Sequence, residues 1–301
     1  MSTSTLAACP ARRTTALAKF RDFVELTKPR VSVLVLVTVG VGFYLASWGR
    51  PELWLLTQTL LGTALVAGSA SAINQYLERK TDARMPRTAS RPLPAGRLSG
   101  TEVVVFGAIT LVLGTSLLLA INATTAALGL LTWLLYTCVY TPMKTQTSLN
   151  TVVGAVPGAM PAVMGWTAAG RALDIEAATL FGIVFLWQFP HFLAIAYLYR
   201  KQYAAAGLRM LPSVDRTGRL APAAAVLYAL ALLPVSLIPA VECLAGRSYF
   251  AGALALGIGY LVASMLFFAR TGEGTARGLL RTSLVYLPAL LILLMWDLLP
   301  I

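Results

Sequence analysis

The feature that most restricts the fold is a succession of apolar runs, each about 20 residues long, the length a helix needs to cross a bilayer. Nine can be marked, at approximately 31–48, 53–77, 101–121, 124–142, 149–168, 177–198, 222–241, 249–269 and 279–299. Of the 301 residues, 57% are hydrophobic and 12% charged. Soluble domains carry about 25% charge. A chain this poor in polar groups cannot cover its own surface with them, so it belongs in lipid. Ten-residue alternating strands are absent, which excludes an outer-membrane barrel and leaves a helical bundle.

The cations orient that bundle. Of 24 Lys and Arg residues, 21 fall in the segment before the first run or around the even-numbered loops, and 3 (Arg50, Arg171, Arg247) around the odd-numbered ones. The positive-inside rule then puts the N-terminus in the cytosol and the C-terminus outside. The net charge of +12 is therefore a topology signal, and no nucleic-acid partner is expected. Residues 1–22 are expected to form a disordered cytosolic tail and residues 23–301 a nine-helix domain. No apolar core of a secretory signal follows the tail. A bacterial inner membrane is favoured over a mitochondrial one. Two long inner loops, 78–100 and 199–221, lie four runs apart. They suggest two four-helix halves plus one helix, facing each other across a central cavity that opens to the cytosolic side.

Cys9, Cys138 and Cys243 are scattered and odd in number, so neither a disulfide framework nor a metal spacing is implied. His191 is the single histidine, which excludes a multi-histidine metal site.

The end of the second run carries the densest chemistry. Asn74, Glu78 and Asp82 recur every four residues and so share one helix face. Two carboxylates and an amide oxygen suit Mg²⁺ held jointly with phosphate oxygens. Arg84, Arg87 and Arg91 follow, with forked donors suited to a diphosphate. The same pattern would also arise from an ordinary charged helix end with inner-facing arginines. Lys144, alone in its loop, is either a phosphate partner or an interface anchor. Pro157 and Pro161 free carbonyls in the fifth run, beside partner helices or a cavity. Gln188 and His191 are polar groups within the sixth run, where such groups are functional candidates by default, although a lone histidine is more often a hydrogen-bonded structural residue than a ligand or base.

Four stretches together resemble the UbiA-type intramembrane prenyltransferases, and within them the protoheme IX farnesyltransferase (heme O synthase) branch. They are Asn74…Glu78…Asp82…Arg87-Thr88…Arg91-Pro92-Leu93-Pro94, Tyr140-Thr141…Lys144, Leu149-Asn150 through Pro157-Gly158…Pro161…Gly165-Trp166, and Trp187-Gln188…Pro190-His191-Phe192 with Tyr203…Met210-Leu211-Pro212. The Thr27-Lys28-Pro29-Arg30 stretch fits as well. The resemblance implies a Mg²⁺-dependent transfer of farnesyl from farnesyl diphosphate to the 2-vinyl group of heme b, with addition of water. Carried over by position, Asn74, Glu78 and Asp82 would hold Mg²⁺ and the diphosphate. Arg87, Arg91, Lys144 and Lys201, beside Arg84, would neutralise the leaving group. Gln188, His191 and Tyr203 would serve the heme acceptor. A heme A synthase or an oxidase assembly is an implied downstream partner. Two positions depart from the pattern: Gln202 replaces a common acid, and Thr145-Gln146 replace a common arginine. Three alternatives stay open: a quinone or 4-hydroxybenzoate prenyltransferase, a non-catalytic heme-binding protein, and a secondary transporter.

Overall fold

A computed structural model describes residues 15–299. The first element already departs from expectation. Residues 16–22, expected to be disordered, open helix α1 (Ala16–Leu26), capped by Thr15, whose hydroxyl accepts from Ala18 N–H at 3.3 Å. Arg97 bonds Asp22 and Glu25, each at 2.8 Å, and Lys19 pairs with Glu102. Leu26 packs with Ala72, Leu98 and Val103. These partners are remote in sequence, so local composition does not disclose the helix. The rest of the expected tail, residues 1–14, lies outside the described residues.

Eight helical segments among the described residues are long and apolar enough to cross a membrane. They are α2 (Pro29–Ala46), α3 (Leu53–Asp82), α4 (Gly100–Leu119), the composite Ala123–Met143, α8 (Ile175–Leu198), α11 (Leu220–Val241), α12 (Arg247–Ala269) and α13 (Glu273–Trp296). The composite consists of α5 (Ala123–Leu134), a π-helical turn at Leu135–Tyr140 and the single turn α6 (Thr141–Met143). The remaining expected span is α7 (Asn150–Ala168), whose 19 residues include four Gly or Pro at its centre with Asn and Thr at its ends, and which is not among these eight. Short helices α9 (Arg200–Ala205) and α10 (Leu211–Val214) punctuate the loop after α8.

Caps fix the starts of the helices. Ser99 and Glu102 form a reciprocal capping box on α4. Asn122 caps α5 and Asp174 caps α8 through their side chains. The 30 residues of α3 extend roughly 45 Å, against about 30 Å of bilayer hydrocarbon. The expected span ended at residue 77; the helix runs on to Asp82 and carries its polar end beyond the apolar layer.

Two groups of helices pack around the middle of the chain. α3 lies against α4, and α2 against α7; α8, α11, α12 and α13 pack on one another, with α7 also touching α8. Backbones approach most closely where α2 crosses α7. A Cβ on Gly42 would lie 2.1 Å from the Ala162 carbonyl oxygen, and one on Gly165 would lie 2.0 Å from that of Val39. Small residues permit this approach, as is usual between helices in lipid.

Candidate active site

Three pieces of chain converge on the polar end of α3. The first is Lys28, which precedes α2 with a left-handed backbone (φ 50°). This conformation is uncommon outside glycine and directs the lysine back toward α3. Its ammonium donates to Asn74 Oδ1 at 2.8 Å. The second piece is the π turn with α6. It sets Thr141 to accept from Asn74 Nδ2 at 3.0 Å while donating to the Tyr136 carbonyl at 2.7 Å. Lys144, just beyond, reaches Glu78 at 2.7 Å. The third is the loop after α3, where Arg91 meets Asp82 at 2.7 Å and the Thr88 hydroxyl donates to the Asp82 carbonyl at 2.9 Å.

These groups enclose a polar pocket of about 120 Å³ lined by Lys28, Asn74, Glu78, Asp82, Arg87, Arg91, Tyr140, Lys144 and Tyr203, among others. Asn74 is fully buried, and Glu78 and Lys144 are nearly so. Burial alone would favour a neutral Lys144 amine. The neighbouring Tyr140 and the Glu78 carboxylate outweigh it and hold the lysine pKa above its ordinary value. Arg87 lies 5.1 Å from the centre of the Tyr199 ring, which fixes it at the pocket wall. Two hydrogen bonds close the far side: Arg209 N–H donates to the Lys144 carbonyl at 2.8 Å, and the Asn150 side-chain Nδ2 to the Arg209 carbonyl at 3.1 Å.

Below this pocket lies an apolar cavity of about 300 Å³, walled by α2, α3, α5, the π turn, α7 and α8. Val35, Val66, Pro157, Met164 and Phe192 are among its walls. Lys28 and Tyr140 line both spaces. A cationic, oxygen-lined head chamber therefore adjoins a greasy one. Gln188 lines the apolar cavity, its amide donating to the Ala155 and Val184 carbonyls at 3.1 Å each. A Cβ on Gly158 would meet Gln188 Oε1 at 2.0 Å, so that glycine makes room for the side chain.

The candidate residues thus divide. Asn74, Glu78, Asp82, Arg87, Arg91, Lys144 and Tyr203 come together. Arg84 and Lys201 are exposed and line neither chamber, because the loop after α3 coils as turns and α9 presents Lys201 outward. His191 is absent from both linings as well. It stacks on Trp187, and its Nδ1 lies 2.7 Å from Ser283 Oγ on α13. Gln202 Oε1 is buried with no partner among the described residues. Sequence reasoning did not assign Lys28 to the site; its position before a helix-opening proline was the signal at hand.

The donor set fits a divalent cation bound together with substrate. Among the described residues no group of three His, Cys, Asp or Glu side chains could hold a metal alone. Two carboxylates and an amide oxygen on one wall, facing a surplus of cations, suit Mg²⁺, which is commonly held by one or two carboxylates plus phosphate oxygens.

The sequence profile of the UbiA prenyltransferase family matches residues 35–295. A relative from Solibacter usitatus, named protoheme IX farnesyltransferase, is 43% identical over 290 residues, covering 92% of this chain and 98% of its own. One from Koribacter versatilis with the same name is 44% identical over 288 residues, covering 92% of this chain and 93% of its own. Among solved structures, a digeranylgeranylglyceryl phosphate synthase superposes with a TM-score of 0.81 at 17% identity, covering 93% of this chain and 98% of that one. A UbiA homolog from Archaeoglobus fulgidus bound to GPP and Mg²⁺ superposes with a TM-score of 0.67 at 18% identity, covering 91% and 99%. The profile and the extended identity agree with the all-helical fold: this chain is an integral membrane protein of the UbiA prenyltransferase family.

Proposed function

We propose that this protein transfers the farnesyl group of farnesyl diphosphate to the 2-vinyl group of heme b, giving heme o and diphosphate. One observation carries the reading: the cationic pocket and the apolar cavity share Lys28 and Tyr140 as walls, a shape suited to an anionic head on an apolar tail. The names of the relatives supply the acceptor. We place nine helices across the membrane, counting α7, with the pocket on the cytosolic side, as the lysine and arginine distribution favours.

Asn74, Glu78 and Asp82 would hold Mg²⁺, and that ion, when bound, would supply charge neutralisation to the leaving diphosphate. Arg87, Arg91, Lys28 and Lys144 then complete the compensation. Entry of the diphosphate exchanges the Arg91–Asp82 and Lys144–Glu78 pairs for cation–phosphate contacts. The allylic C–O bond breaks with its electron pair leaving on diphosphate. The heme vinyl carbon supplies the electrons of the new C–C bond, and water adds to the resulting cation with loss of a proton. The walls formed by Val35, Val66, Met164 and Phe192 exclude water from the farnesyl cation until that bond has formed. Gln188 and His191 sit on consecutive turns of α8, and we assign them to the acceptor side.

The test is mass spectrometry of heme extracted after incubating purified protein with Mg²⁺, farnesyl diphosphate and heme b, beside a tube with 4-hydroxybenzoate. Heme heavier by farnesyl plus water supports the proposal. A prenylated benzoate with unchanged heme moves the chain to the quinone branch, and no product in either tube overturns the reading.

A further inference from the structure

A third cavity, of about 490 Å³, lies outside both chambers, where the C-terminal ends of α8 and α12 meet the start of α11. Its greasy side is Tyr197, Pro212 and Phe268; its polar side is Arg200, Arg216 and Arg219. Arg200 is held in place, donating to the Tyr197 carbonyl at 2.7 Å and lying 4.2 Å from the centre of that ring. Among the described residues none of these three arginines forms a salt bridge. The one acid at the cavity, Asp215, is spent on its own loop. It accepts from the Thr217 N–H at 2.9 Å, the Thr217 hydroxyl at 2.7 Å and the Leu220 N–H at 2.7 Å. The positive-inside rule accounts for arginines in this loop, but not for three of them around a cavity with an aromatic flank and a self-satisfied carboxylate.

We propose that this cavity binds a phosphate-bearing anion, the headgroup of an anionic phospholipid or a free phosphate compound from the aqueous phase. Basic pockets at the inner ends of membrane helices suit phosphate headgroups, and Arg forks suit phosphate oxygens. The site is separate from the candidate active site, yet one loop serves both. Tyr203, Leu208 and Met210 wall the polar pocket, and Pro212 with Asp215 through Arg219 wall this cavity. Its occupant would hold that shared loop in place. The inference stands whatever the acceptor of the transfer reaction is.

The full chain is placed in phosphatidylcholine nanodiscs. One arm adds phosphatidylglycerol and counts lipid retained by native mass spectrometry; the other titrates inorganic phosphate against the same discs without it. Wild type is compared with R216Q/R219Q and with R277Q/R281Q, which removes equal charge away from the cavity. R87Q/R91Q silences phosphate binding at the polar pocket. Binding in either arm that falls roughly tenfold in R216Q/R219Q and stays near wild type in R277Q/R281Q, in the phosphate arm with R87Q/R91Q present throughout, supports the site, and the responding arm names the source. Equal binding by all variants, or binding in neither arm, overturns it. Size-exclusion profiles identify a variant that has misfolded, and R200Q, expected to show the same loss, then replaces it.

Discussion

Lys28 Nζ donates to Asn74 Oδ1 across 2.8 Å, joining the start of α2 to the end of α3 over 46 positions of sequence. The bond takes one lone pair of the amide oxygen, leaves the other to the pocket that both residues line, and places an ammonium where a diphosphate would lie. Lys28→Met is therefore expected to lower turnover roughly 10- to 100-fold, with Lys28→Arg recovering part of it. Steady-state kinetics on both variants checks this. Unchanged kinetics in Lys28→Met would restrict the lysine to a structural role.

Asp82→Ala is expected to abolish turnover while the protein still inserts and elutes as a single species. The carboxylate pairs with Arg91 at the pocket wall, and its loss removes a candidate Mg²⁺ ligand. Glu78→Gln should raise the Mg²⁺ concentration needed for half-maximal rate. A Mg²⁺ titration of the heme o assay reads both effects; wild-type turnover in Asp82→Ala would sink the metal assignment.

The arginines near α3 should separate sharply. Arg91→Gln and Arg87→Gln, at the pocket, are expected to lose roughly tenfold or more in kcat/KM for farnesyl diphosphate. Arg84→Gln and Lys201→Gln, exposed and away from it, are expected to stay within about twofold of wild type. Equal losses across the four would mean that total charge, rather than position, binds the diphosphate.

Gly165→Ala should be a stability variant. Its added carbon would stand 2.0 Å from the Val39 carbonyl, backbone that cannot swing aside, so α2 and α7 must separate. Overpacking of this kind costs about 1–3 kcal/mol. Thermal unfolding in detergent is expected to shift downward, whereas Gly170→Ala, with open space around it but a φ of 85°, is expected to cost through backbone strain alone.

The bundle was legible because each lipid-crossing helix needs about 20 apolar residues, and little else produces such runs. The face shared by Asn74, Glu78 and Asp82 was legible because four-residue spacing keeps side chains together once a helix is assumed. Pairing across long separations was not. Lys28 depends on a left-handed backbone, α1 on Arg97 and Glu102, and His191 on Ser283, 92 residues away. Arg84 and Arg87 look equivalent in sequence, and the coiling of a turn-rich loop separates them.

The π turn at Leu135–Tyr140 has a consequence for how this site tolerates change. It sets the rotational phase of everything that follows it in the composite helix, so Thr141 and Lys144 meet α3 by virtue of a residue count as much as of residue type. With the winding on either side unchanged, deleting Cys138, which lines neither chamber, would rotate the following segment by about 100°, carrying Lys144 off the Glu78 side while leaving every chamber-lining side chain in the chain. At positions of that stretch that line neither chamber, the pocket is thus more sensitive to a change of length than to a change of residue.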